Sequence, residues 1–207
     1  DILCFLDSDI LPPPSYLRRL LRDHQSWDLV QTQRIYLNEN VSSETTEYGE
    51  IKPSTDSHIP EGGYWHNFYQ KAKERSWMEL DFYWKYVCTY SLSLPRSLFK
   101  DIGWFKKNYI FYGFEDTDLG YRLAKTGAKL HLSDIEVYHL YHTTQRSEYF
   151  NSDYLRQSLL QKTAKIFFHN NLDPDIYSHF NSLMVEPGLW KKQLRQLWSR
   201  NKHHYLK

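Results

Sequence analysis

Three short stretches of the chain combine residue types and spacings that could do chemistry. The first is Asp7-Ser8-Asp9, directly after the apolar run Ile2 to Leu6. Two carboxylates one residue apart on a turning backbone can both face a hard divalent cation and the groups it bridges. An ordinary acidic turn, its Asp side chains capping backbone amides, has the same sequence. The second is Tyr112-Gly113-Phe114-Glu115-Asp116-Thr117-Asp118-Leu119, with three carboxylates in four positions before a helical pattern. A helix N-terminus stabilises such charge, so Asp116 or Thr117 could simply be the N-cap. Gly113 amid aromatic residues would give a substrate close access to the backbone between Tyr112 and Phe114. The third is Tyr138-His139-Leu140-Tyr141-His142. A neutral imidazole beside carboxylates is a good ligand for Mn²⁺-like ions, although a single His is more often a satisfied core or surface residue.

These stretches need a scaffold. Ile2 to Leu6 has the continuous apolar pattern of a strand buried on both faces, and ligands of open α/β sheets bind at the carboxyl ends of such strands. Ser15 to His24 reads as an amphipathic helix with Leu17, Leu20 and Leu21 on one side and Arg18, Arg19 and Arg22 on the other. Asp28 to Leu37 reads as a second strand. Residues 38–63 hold six acids against one Lys and have loop composition. Tyr64 to Tyr86 mixes aromatic and charged residues at helical spacing, and Val87 to Leu94 reads as a strand ended by Pro95. Arg96 to Ile102 and Leu119 to Lys125 read as helices closed by Gly103 and Gly127. Lys129 to Leu132 and Ile135 to His139 read as two short strands, and the pattern from about Ser147 is helical.

Composition narrows the class. The 207 residues are 41% hydrophobic and 25% charged, as in a folded globular protein. Twenty-six Lys and Arg offset 25 Asp and Glu, so no global field recruits a polyanion and no nucleic-acid partner is expected. Rings make up 17% of the chain, a supply that suits a sugar site as well as a core. Cys4 and Cys88 read as buried free thiols in a reducing compartment. No apolar stretch reaches the ~20 residues that span a bilayer, and the expected location is the cytoplasm. The chain opens Asp1-Ile2-Leu3 inside a strand pattern, which reads as a fragment whose upstream part is missing.

Phe5-Leu6-Asp7-Ser8-Asp9-Ile10, Leu94-Pro95-Arg96 to Gly103-Trp104-Phe105, Tyr112 to Leu123 and Val137-Tyr138-His139 together resemble the catalytic half of inverting, metal-dependent glycosyltransferases of the GT-A fold. The nearest groups are the family-two enzymes, including chondroitin-polymerase-like modules, and the C-terminal region of β-1,4-galactosyltransferases. The resemblance implies a Rossmann-like α/β mixed sheet flanked by helices, N-terminally truncated, over residues 1–145, followed by a helical basic extension over 146–207. It implies a nucleotide-sugar donor, of UDP-sugar type, and a glycan or other hydroxyl acceptor. Asp9 would hold Mn²⁺ or Mg²⁺, Asp7 would contact the ribose or the metal shell, and His139 would complete the protein ligands, with His142 as substitute. Asp116 would be the general base, kept ionised by the helix N-terminus at some loss of proton affinity, and Glu115 would hold acceptor hydroxyls. Trp104, Tyr112, Gly113 and Phe114 would line the sugar site. The chain departs from these relatives in lacking the upstream βαβ segment and in placing Lys106-Lys107 where an acid is more usual.

Two other functions compete. A carbohydrate- or metal-binding module derived from a transferase would keep the pocket without turnover. A hydrolase would use Glu115 and Asp116 as acid and base across a glycosidic bond, a geometry adjacent residues rarely reach. In the tail, Leu189 to Lys207 carries six Lys and Arg and no acid, with Trp190, Leu194, Leu197 and Trp198 on one helical face. That face either packs on the domain or lies on the inner surface of an anionic membrane.

Overall fold

Leu29–Leu37 (β3) is buried along most of its length, Gln31 and Thr32 included, as expected of a strand with neighbours on both edges and layers on both faces. The computed structural model describes residues 1–39, 41, 47–53, 57–61, 64–74, 76–80, 82–110, 113–141, 153–171, 173 and 176. Within them β3 is the middle of a mixed six-stranded sheet. The other strands are β1 (Ile2–Leu6), β2 (Ile10–Leu11), β4 (Ser57–His58), β5 (Ser91–Pro95) and β6 (Leu130–His139), in the order β1-β5-β3-β6-β2, with β4 paired to the end of β3. Only β3 and β6 run parallel; the remaining pairs are antiparallel. This is the expected α/β architecture.

Three expectations about strands are corrected. β1 is an edge strand among the described residues, with Cys4 and Leu6 exposed, so it is not buried on both faces. Cys4 and Cys88 are free, but only Cys88 is partly buried, and it lies before β5, which begins at Ser91. The two short strands expected around residues 129–139 are one strand. Its register on β3 jumps from Gln31 opposite Leu132 to Gln33 opposite Glu136, so residues 133–135 form a bulge. Ser133 anchors that bulge by donating its hydroxyl to the Asp23 carboxylate at 2.6 Å.

Among the described residues five helices accompany the sheet: α1 (Tyr16–Asp23), α2 (Tyr64–Glu74), α3 (Arg96–Asp101), α4 (Glu115–Lys125) and α5 (Asp153–Asn170). The α1 face differs from the leucine pattern. Tyr16, Leu20 and Asp23 point inward, while Leu17 and Leu21 are exposed. Polar anchors set the rotation: the Tyr16 hydroxyl lies 2.8 Å from Ser91 Oγ, and Asp23 receives Ser133. Gly103 and Gly127 take φ +82° and +77° and close α3 and α4 as expected. Helix α4 begins four residues before the leucine pattern, at Glu115. Its N-cap is Phe114, at φ +69° next to Gly113 at φ +93°, not Asp116 or Thr117.

Two apolar layers close over the sheet. Leu29, Leu92, Leu94, Leu119, Leu123 and Leu130 meet the rings of Phe68, Trp77 and Tyr86 on one side. Ile10, Tyr16, Leu20, Val30, Ile135 and Val137 form the other. Helix α5 belongs to the same body: Phe167 is fully buried with Trp84 and Tyr121. The basic tail lies outside the described residues. No described helix is long and apolar enough to cross a membrane.

Candidate active site

The short segment Cys88-Thr89-Tyr90, between a 3-10 turn (Tyr83–Tyr86) and β5, joins motifs that are distant in sequence. The Thr89 hydroxyl donates to Asp116 Oδ1 at 2.8 Å. The Thr89 amide and the Cys88 thiol donate to Asp116 Oδ2 at 3.3 and 3.1 Å. One residue later, the Tyr90 carbonyl accepts the Asp7 amide at 3.0 Å. The acidic turn after β1 and the acidic start of α4 therefore share one backbone anchor. Gln31 holds that anchor in turn: its amide group donates to the Tyr86 carbonyl at 3.0 Å and accepts the Cys88 amide at 2.8 Å.

Burial decides the Asp116 protonation balance. It pushes the carboxyl above its ordinary range, and donation from Cys88 and Thr89 opposes but does not cancel the rise. The sequence expectation runs the other way, because the helix N-terminus alone favours the anion. A carboxylate with raised proton affinity, held by three donors, is suited to accept a proton from a substrate. Burial raises the neighbouring Glu115 as well, and its Oε2 is buried with no hydrogen-bond partner among the described residues. The same burial pushes the Cys88 thiol up, with the negative Asp116 adding to the effect.

Asp9 and His139 meet at the other end of the Asp7-Asp9 turn. Asp9 Oδ2 lies 3.2 Å from His139 Nε2, and the Leu140 amide donates to the Asp9 carbonyl at 2.8 Å. The pairing follows from β2, which aligns Ile10 with His139. A carboxylate oxygen and an imidazole nitrogen are a fitting donor pair for Mn²⁺ or Mg²⁺. No group of three His, Cys, Asp or Glu side chains that could hold a metal ion forms among the described residues. Asp7 is exposed beside the pair. His142 and Tyr112 lie outside the described residues.

The remaining expected site residues serve α5 or lie elsewhere. A Cβ on Gly113 would come within 2.6 Å of Leu160 Cδ2, so the bare backbone there admits α5. The Phe114 ring packs 5.6 Å from that of Phe167. Trp104 packs edge-on against Phe99 and lines a groove with Asp1, Arg96, Ser97 and Lys100, at the end of β1 opposite Asp7. Asp118, the third acid, is fully buried. It accepts from Arg122 Nε and Asn171 Nδ2, both at 2.7 Å, with Lys106 Nζ at 3.5 Å, which gives one of the two unusual lysines a structural partner.

Cys88, Thr89 and Gln31 are the contributors that sequence reading missed. The available signal was Gln31-Thr32, two polar residues within an apolar strand, since a buried polar side chain has a partner to hold. Comparison with curated proteins finds no match. A family model described as the N-terminal domain of galactosyltransferase matches residues 71–145, a span that includes Asp116 and His139 but begins downstream of Asp7 and Asp9. Over that span the chain is similar to galactosyltransferases of the GT-A type, which supports a glycosyltransferase.

Proposed function

We propose that the chain is the catalytic part of a glycosyltransferase that moves a sugar from a UDP-sugar to a glycan hydroxyl with inversion. Residues 88–90 tie the Asp116 carboxylate to the backbone of Asp7, two residues before the Asp9–His139 pair, and this linkage supports the reading. Asp9 and His139 would hold Mn²⁺ or Mg²⁺, with Asp7 beside them. When bound, the ion neutralises diphosphate charge and so improves the leaving group. Asp116 takes the acceptor hydroxyl proton while that oxygen bonds to the anomeric carbon, and the bond to the diphosphate oxygen breaks on the opposite face. Its three donors hold the carboxylate in one orientation, so positioning adds to basicity. Glu115 is placed one residue away to hold acceptor hydroxyls. The free thiols fit a cytoplasmic setting. The basic tail would add contact with an anionic membrane, at about 1 kcal/mol per basic residue near the surface.

The test is release of UDP from a panel of UDP-sugars with glycan acceptors, with and without Mn²⁺. Metal-dependent release with an inverted anomeric centre in the product is the expected result. Nucleotide binding without any release would favour the binding-module reading, and hydrolysis of a glycan without a donor would favour the hydrolase.

A further inference from the structure

Arg34, in the middle of β3, is a cation without an acidic partner. Among the described residues no carboxylate pairs with its guanidinium, and its Nε is buried and meets no acceptor. Its contacts are aromatic: Cζ stands 4.9 Å from the centre of the Tyr36 ring and 5.4 Å from that of Tyr90. Its backbone amide is separately fixed by the Tyr69 hydroxyl at 2.7 Å. Such faces compensate a partly desolvated charge only in part.

The placement indicates what completes it. The Tyr36 ring lies 5.1 Å from that of His139, which faces Asp9. Tyr90 continues into Cys88 and Thr89, which hold Asp116, and the Arg34 charge is near enough to Cys88 to oppose the rise of its thiol pKa. The guanidinium thus neighbours, through the Tyr36 ring, the Asp9–His139 pair and, through Cys88, the donors that hold Asp116. Both neighbours are held by other groups: Asp9 by His139, and Asp116 by Thr89 and Cys88. A planar fork of donors fixed between two rings matches the oxygens of a phosphate, which can accept two parallel hydrogen bonds.

We infer that Arg34 is an anchor for the phosphate oxygens of the donor diphosphate, binding charge that develops further as the leaving group departs. This inference rests on the transferase reading. The test titrates inorganic pyrophosphate into the 207-residue chain and into Arg34→Gln and Arg34→Lys, with and without Mn²⁺, by calorimetry. Thermal unfolding establishes that each variant is folded. The expected result is at least tenfold weaker binding for Arg34→Gln under both conditions, with partial retention in Arg34→Lys. Should Arg34→Gln not fold, the Nε–Hε resonance of Arg34 in the wild type decides the question in its place: a saturable shift on titration supports the anchor, and no shift at saturation overturns it. Equal binding by the wild type and Arg34→Gln, or no binding by the wild type, also overturns it. UDP release is measured on the same samples. Loss of the Arg34 effect with UDP release intact removes the anchor and leaves the transferase. A clear Arg34 effect without UDP release leaves an anion site and removes the transferase.

Discussion

Thr89→Val isolates the hold on Asp116. The substitution keeps the side-chain shape and removes one hydroxyl, the donor to Asp116 Oδ1 at 2.8 Å. Hydrogen bonds to charged groups contribute about 1.5–3 kcal/mol, and that range is the expected loss of stability while Asp116 is ionised. The pH dependence carries the sign. Burial raises the folded-state pKa of Asp116 above its ordinary value, so the group's contribution to stability is full below that ordinary value and is lost as pH rises through the folded pKa. Removing a donor to the anion raises the folded pKa further. The deficit of the variant is therefore largest near neutral pH and shrinks as pH falls toward the ordinary carboxylate range, where the neutral carboxyl no longer draws on Thr89. Urea unfolding of the wild type, Thr89→Val and Thr89→Ser, followed by tryptophan fluorescence at pH 7.5 and pH 4.5, reads this directly. Thr89→Ser retains a hydroxyl and should lie close to the wild type. A deficit equal at both pH values, or equal in the two variants, would refute the clamp.

Asp116→Asn should leave UDP binding near the wild-type level and remove transfer, because an amide cannot accept the proton; turnover above a few per cent would move the base to Glu115. Asp9→Ala should abolish the Mn²⁺-dependent part of UDP-sugar binding in calorimetry, and undiminished Mn²⁺ dependence would take Asp9 out of the metal shell. Gly120→Ala should destabilise the fold by roughly 1–3 kcal/mol, since its Cβ would lie 2.3 Å from the Trp84 carbonyl oxygen; an unchanged urea midpoint contradicts that packing. Truncation after Gly188 should reduce sedimentation with anionic vesicles, and equal pelleting of both forms would leave the tail without a membrane role.

Local order is easier to read from the sequence than distant pairing. Asp7-Ser8-Asp9, Glu115-Asp116 and His139 announce themselves because their chemistry lies within a few neighbours. Gly103 and Gly127 are legible for the same reason: a left-handed cap is a property of one residue and its turn. Thr89 and Cys88 carry no such mark, for their donors meet Asp116 across 27 and 28 positions. Strand burial misleads at Ile2 to Leu6, where an apolar run lies on an edge and exposes Cys4 and Leu6. Helical spacing finds α1 but chooses leucines for its inner face, whereas the Tyr16–Ser91 hydrogen bond and the one Asp23 accepts from Ser133 set the rotation. The acids of α4 are expected from sequence to act through the helix end. Packing against residues 87–90 instead makes desolvation the larger influence on Asp116.

Gly113 and Phe114 form a left-handed corner at the entry to α4, and a non-glycine residue such as Phe114 in that region stores of order 1–3 kcal/mol. Leu160 and Phe167 of α5 brace the corner from outside. The brace makes the aim of Asp116 a mechanical property of a helix some forty residues downstream. Were α5 lifted away, the Gly113-Phe114 corner that opens α4 just before Glu115 and Asp116 would lose that support. Under the transferase reading, the docking of α5 would help to aim Asp116 through contacts at Gly113 and Phe114 rather than at the carboxylate itself.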